Sequence, residues 1–167
     1  MLEVITYPHP MLREISKPVE IFDEELHQFL DEMYEVMLKK NGVGISAVQV
    51  ARPIRALLIC IPDDEGNQKK EDLLEIINPQ IIDKNGEISF NEGCLSVPEF
   101  YEDVKRAQKI LVKYQDRFGN HKEIEADDYL AVAFQHEIDH LNGVLFIDKL
   151  SILKRKKFEK ELKRKKK

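Results

Sequence analysis

Phe22, Leu26, Phe29, Leu30, Met33, Val36 and Met37 recur at helical spacing, and no comparable run follows until Leu130. The stretch between reads as strands and turns. This segregation of periods is the strongest constraint on the fold. Helices before and after a block of strands predict an α+β protein with mostly antiparallel strands, not a doubly wound alternation. Asp23 can cap the first helix, and Gly42, after Lys39 and Lys40, can stop it. Residues 54–61 form a continuous apolar run fit for a buried strand. Residues 73–82 form another, interrupted at Asn78-Pro79. Asn85-Gly86 predicts one hairpin turn, and Phe118-Gly119-Asn120 a second, between 104–114 and 122–125. Residues 63–70 read as an exposed loop.

A second helix, capped by Asp127 or Asp128, runs to about Asn142 with Gly143 as its stop. A short strand is expected next. A third helix opens at Ser151, with Ile152, Leu153, Phe158 and Leu162 on its apolar side. Residues 1–20, with Pro8, Pro10 and Pro18, read as an extended arm holding at most one helical turn, 11–15.

The chain has 167 residues, which suits one domain. The division expected is a catalytic domain over 1–150 and a basic helix or tail over 151–167. The net charge of -5 hides this split. Residues 150–167 carry ten Lys/Arg against two Glu, a balance of +8, and the rest carries 16 against 29, a balance of -13. The acidic body excludes a general nucleic-acid binder, but the tail can meet something anionic. No apolar run approaches the roughly 20 residues of a membrane span, so no membrane partner is expected. The start resembles no secretion signal. Two cysteines cannot build a disulfide scaffold, and a cytoplasmic location is expected.

The second helix contains His136-Glu137-Ile138-Asp139-His140. Four residues advance a helix by about 400°, so the two imidazoles share a face and can bind one metal ion. Glu137 can reach a water on that ion as general base. With five histidines, chance supplies such a pattern roughly 0.02 times in a chain of this composition. A third protein ligand is required, and no histidine follows His140. Asp148 can serve in principle. So can Cys94 in Glu92-Gly93-Cys94-Leu95-Ser96-Val97-Pro98, where Gly93 permits a turn that presents a soft thiolate. Otherwise Cys94 is a small buried residue, which is the reading of Cys60 in its strand. His9, His27 and His121 read as solvated. In Gly42-Val43-Gly44-Ile45-Ser46-Ala47-Val48-Gln49 the glycines allow close backbone approach. Gln49 interrupts an apolar run there, either as a structural hydrogen bond or as an amide donor to developing negative charge.

Together and in this order, Gly42 to Gln49, Glu92 to Ser96 and Gln135 to His140 resemble the peptide deformylase family. The likeness extends to Tyr7-Pro8-His9-Pro10-Met11-Leu12-Arg13, Ile77-Asn78-Pro79 and Leu141-Asn142-Gly143. The resemblance implies a hydrolase that removes formyl from the formylmethionine of nascent polypeptides and releases formate. It implies Cys94, His136 and His140 as metal ligands around a central metal-binding helix, with Glu137 as proton carrier. Gln49 and the Leu95 N–H would hold the oxyanion. The implied native ion is Fe²⁺, with Zn²⁺, Ni²⁺ or Co²⁺ able to replace it. Tyr129, Val132 and Ala133 share the ligand face of the helix and, with Val43, can wall a methionine pocket. Gly44 and Gly93 leave backbone free to pair with an extended peptide. A monomer is expected, with the tail a candidate dock for the ribosome. Two positions depart from the family. Ser46 stands where alanine is usual, a change expected to matter little. Glu99-Phe100-Tyr101 stands where many bacterial members carry an arginine, which alters the mouth of the site.

Overall fold

The computed structural model describes residues 2–165. Helix α1, Glu24–Lys39, is followed by strands β1, Gly44–Ser46, β2, Ala56–Ile59, and β3, Leu74–Asn85. Next come β4, Ile88–Cys94, β5, Val97–Arg106, β6, Lys109–Gln115, and β7, His121–Asp127. Helix α2, Asp128–Leu141, and helix α3, Ile152–Lys165, complete the chain. One antiparallel sheet has the order β1-β2-β3-β6-β7, and β4 pairs with β5 alone. The expected α+β class holds.

Strand β2 shows why its run is apolar without alternation. Ala56 and Leu58 join Leu30, Met33 and Met37 of α1 on one face. Leu57 and Ile59 join Phe134, Ile138 and Leu141 of α2 on the other. Each helix covers one face of the sheet, so every β2 side chain is buried. A third cluster gathers Leu12, Val97, Phe100, Phe146 and Phe158 beneath α3.

Several expectations need correction. Asn85-Gly86 is a turn, with Gly86 at φ 71, but it joins no hairpin. Asn85 still pairs with Lys109, and Ile88 then pairs with Arg106. The two chain segments therefore stay side by side across the break. Strands β3–β6 and β4–β5 form one long bent hairpin whose last pair is Cys94 with Val97. Asn78-Pro79 makes a bulge within β3, with Asn78 at φ 52 and the register shifting between Ile77 and Gln80. The hairpin foreseen at Phe118-Gly119-Asn120 is present, but it joins β6 to β7, since 104–106 belong to β5.

Asp23 caps α1 as expected, accepting from Leu26 N at 3.0 Å. The left-handed residue that ends α1 is Asn41, φ 57, not Gly42, whose N–H closes onto Met37 O. The short strand foreseen after α2 is instead a 3-10 turn, Phe146–Lys149. The arm's single helical turn is a 3-10 turn at Pro10–Arg13. In α3 only Phe158 is buried, while Ile152 and Leu153 are 76% and 80% exposed. The register of the helix points its aromatic, not its first turn, at Tyr7 and Phe100.

Asp148 ties three parts of the chain together. Its carboxylate accepts from Arg13 of the arm, from Leu145 N and from Arg155 of α3. Burial alone would raise this carboxyl, but Arg13 and these hydrogen bonds hold it below the ordinary aspartate range. A depressed carboxyl stabilises the fold above its unfolded pKa of about 3.9, and that stability is lost as pH falls through the folded value. Asp148→Asn is expected to lower unfolding free energy by about 2 kcal/mol at pH 7. Urea titrations at neutral and acid pH check this, and the gap from the parent protein closes below about pH 4.

Candidate metal centre

The tip of the bent hairpin carries Cys94 to the ligand face of α2. Cys94 Sγ lies 3.3 Å from His140 Nε2. The ligand atoms of Cys94, His136 and His140 all lie within 4.8 Å of one another. The His136 and His140 rings meet edge to face, 5.1 Å between centroids, as one helical turn requires. A soft thiolate and two imidazoles converging from a hairpin and a helix make a donor set that fits one divalent transition metal ion. Asp148, the other candidate ligand, is committed to Arg13 and Arg155 instead.

Two residues to which no function had been assigned hold this arrangement in place. Glu92 Oε1 takes the His136 Nδ1 at 2.8 Å, leaving Nε2 for an ion. Arg106 grips both Glu92 oxygens, at 2.7 and 2.9 Å, and reaches Asp139 of α2 at 2.7 Å. Glu92 and Arg106 are only 4% and 7% exposed. Burial opposes the Glu92 charge, but Arg106 and His136 outweigh it and hold the carboxyl below its ordinary range. The signal for Arg106 was present: an arginine at an inward position of a strand, two residues after buried Val104.

Burial disfavours a charged His136, while the neighbouring Cys94 and Glu92 push its pKa up. Burial and the His136 charge push His140 well down. Glu137 is 5% exposed, and burial pushes its carboxyl up.

Glu92, Cys94, His136 and Glu137 open on a cavity of about 650 Å³. The structure brings Val43, Gly44, Gln49, Gly93 and Leu95 around it, with Tyr129, Val132 and Ala133 from α2. Tyr129 stacks on Phe90 at 4.8 Å, an aromatic neighbour that sequence reasoning missed. Gln49 is buried, with Oε1 held by Ser46 N at 2.9 Å. Its amide nitrogen lies 3.1 Å from Ser96 Oγ and 3.6 Å from Cys94 Sγ.

The glycines are explained by what would collide with a side chain. A Cβ at Gly42 would lie 2.8 Å from Leu95 Cδ1, and one at Gly44 2.7 Å from Glu137 Oε2. The tight turn falls at Leu95-Ser96, and Gly93 sits at the register shift just before it. Gly93 also makes room for Tyr101, whose ring would collide with a Cβ there. Tyr101, 66% exposed, also lines the cavity, as do Glu99 and Lys40. The remaining histidines stay outside the site. His9 caps Met11 N, and His121 is exposed in β7. His27 is not solvated as expected: Nε2 bonds Arg117 O at 2.8 Å and the ring meets Phe118.

Residues 1–156 match the polypeptide deformylase family. The chain is 70% identical over 164 residues to the peptide deformylase of Wolinella succinogenes, covering 98% of this chain and 96% of that one. It is 60% identical over 163 residues to that of Helicobacter pylori strain J99, covering 98% and 94%. The crystal structure of a peptide deformylase from Legionella pneumophila superposes with a TM-score of 0.90 at 43% identity, covering 99% and 95% of the two chains. A Met-Ala-Ser bound peptide deformylase from Acinetobacter baumannii superposes with a TM-score of 0.83 at 32% identity, covering 90% and 98%. With fold, length and sequence matched almost end to end, this chain belongs to the polypeptide deformylase family, metal-dependent hydrolases that remove the N-formyl group from nascent peptides.

Proposed function

We propose that Cys94, His136 and His140 hold one divalent ion and that Glu137 is the general base of the deformylation. The convergence of these three ligands beside a buried carboxylate carries this reading. When bound, the ion supplies Lewis acidity that activates water and polarises the formyl carbonyl. Glu137 takes the proton of the attacking water and passes it to the departing amine, leaving formate and a free N-terminus. The amide of Gln49 and the N–H of Leu95 stabilise the oxyanion, each worth about 3 kcal/mol of barrier. Val43, Tyr129, Val132 and Ala133 receive the methionine side chain. Backbone at Gly44 and Gly93 pairs with the extended peptide.

We assign Fe²⁺ as the native ion. The same thiolate and imidazoles also suit Zn²⁺, Ni²⁺ and Co²⁺. Residues 1–150 act as the catalytic domain of a cytoplasmic monomer, and 151–167 as its basic appendage. No helix among the described residues is long and apolar enough to cross a membrane.

The basic helix is partly neutralised by the body. Lys154 and Lys157 approach Glu102, and Lys165 approaches Glu99. Lys156, Lys160, Lys163 and Arg164 remain exposed. We assign this face to the ribosome, where nascent chains emerge. Lys166 and Lys167 lie outside the described residues.

Three measurements test these assignments. Glu137→Gln should cut formate release from formyl-Met-Ala by about 10²-fold or more while metal content stays at the parent level. Retained turnover rejects Glu137 as the base. An iron-loaded preparation should lose activity in air while a nickel-loaded one persists, because a ferrous thiolate site is oxidisable. Equal lifetimes count against iron. Replacing Lys156, Lys160, Lys163 and Arg164 by glutamate spares the Phe158 seat. It should weaken ribosome co-sedimentation most at low salt, with activity on short peptides unchanged.

A further inference from the structure

Ser46 was expected to matter little, yet it sits at the base of the site. It closes β1 and is fully buried. Its hydroxyl lies 2.8 Å from the Glu137 main-chain oxygen and 3.0 Å from Glu137 Oε1. A serine hydroxyl has one proton, so both contacts draw on a single donor. The Ser46 proton is thus shared between the backbone oxygen and the carboxylate of the same residue. Among the described residues no other side chain hydrogen-bonds that carboxylate.

The second carboxylate oxygen is treated differently. Oε2 lies where a Cβ on Gly44 would come within 2.7 Å, and Gly44 lines the cavity. One oxygen is therefore tethered from β1, and the other is left uncovered by the missing side chain two residues earlier. Ser46 N also holds Gln49 Oε1 at 2.9 Å. One residue thereby sets the orientation of both the proposed base and the proposed amide donor, through different atoms.

We infer that Ser46 is a positioning residue. Its hydroxyl pins Glu137 Oε1 so that Oε2 is the oxygen presented to the cavity. This rests on the reading of Glu137 as the base. Alanine, the usual family residue here, would keep the main-chain hold on Gln49 and lose both hydroxyl contacts to Glu137. The hydroxyl therefore contributes orientation and is not an indispensable step. Its removal in this chain should cost a moderate factor in the bound-state rate and nothing in substrate affinity.

The test compares the parent enzyme with Ser46→Ala, Ser46→Cys and Ser46→Thr on formyl-Met-Ala. Metal content and thermal midpoint are measured on each preparation. Loss of one such hydrogen bond predicts a fall in kcat of about fivefold for Ser46→Ala, with KM and metal content unchanged. Ser46→Cys, a poor donor, should follow alanine, and Ser46→Thr should recover kcat. If Ser46→Thr does not fold, the alanine and cysteine variants decide. A crystal structure of metal-free Ser46→Ala should show the Glu137 carboxylate turned from its parent rotamer. A kcat within twofold of the parent, or a loss matched by lost metal or raised KM, overturns the inference. Glu137→Gln separates the two levels: if it keeps turnover, the reading of the base fails, and if it is inactive while Ser46→Ala is unaffected, only the tether fails.

Discussion

A guanidinium buried between two carboxylates joins the halves of this site. Arg106 rises from β5, grips Glu92 on the paired strand β4, and reaches across to Asp139 on α2. Glu92 continues the chain to His136. Removing these charges from water is costly, and only complete pairing offsets it. Loss of a single partner would leave a buried charge uncompensated, typically about 3–5 kcal/mol. The arrangement consequently tolerates one docking of hairpin on helix, and that docking sets Cys94 beside His136 and His140. The ligand cluster depends on this network as much as on the ligands.

Close approach is the second constraint. The hairpin tip, strand β1 and helix α2 converge on one small volume, and three glycines make that possible. Leu95, the Glu137 carboxylate and the Tyr101 ring each occupy space that a β-carbon at Gly42, Gly44 or Gly93 would need. Gly44 and Gly93 line the cavity together with Tyr129, Val132 and Ala133 of α2. The same convergence buries Glu137 and brings the Ser46 hydroxyl to its carboxylate.

The charge asymmetry also takes physical form. The acidic body holds α3 through Glu99, Glu102 and Asp148, while Phe158 anchors the helix among Tyr7 and Phe100. These surface ion pairs are individually weak, on the order of 0–1 kcal/mol, so the aromatic seat dominates the docking. The exposed basic face is what remains after the body has taken its share of the lysines.

Much of this was legible in the chain. Hydrophobic period separated helices from strands, because a buried helix stripe and a two-sided buried strand leave different apolar patterns. The spacing of His136, Glu137 and His140 marked a candidate metal site with Cys94 or Asp148 open as its third ligand, and the family resemblance singled out Cys94 and Gln49. Other features were not legible. Asn85-Gly86 has the composition of a hairpin turn, yet only the register of β6 shows that the hairpin continues through it. Glu92, Arg106 and Ser46 act through partners 14 to 91 residues away, and no local pattern announces such pairs. By itself the sequence determined the element types, the candidate ligands and the split of charge, all properties of residue identity and short spacing. The tertiary structure alone decided which carboxylate serves His136, which glycines make room, and which oxygen of Glu137 is tethered. Those outcomes depend on distances between segments remote in the chain, which only packing sets.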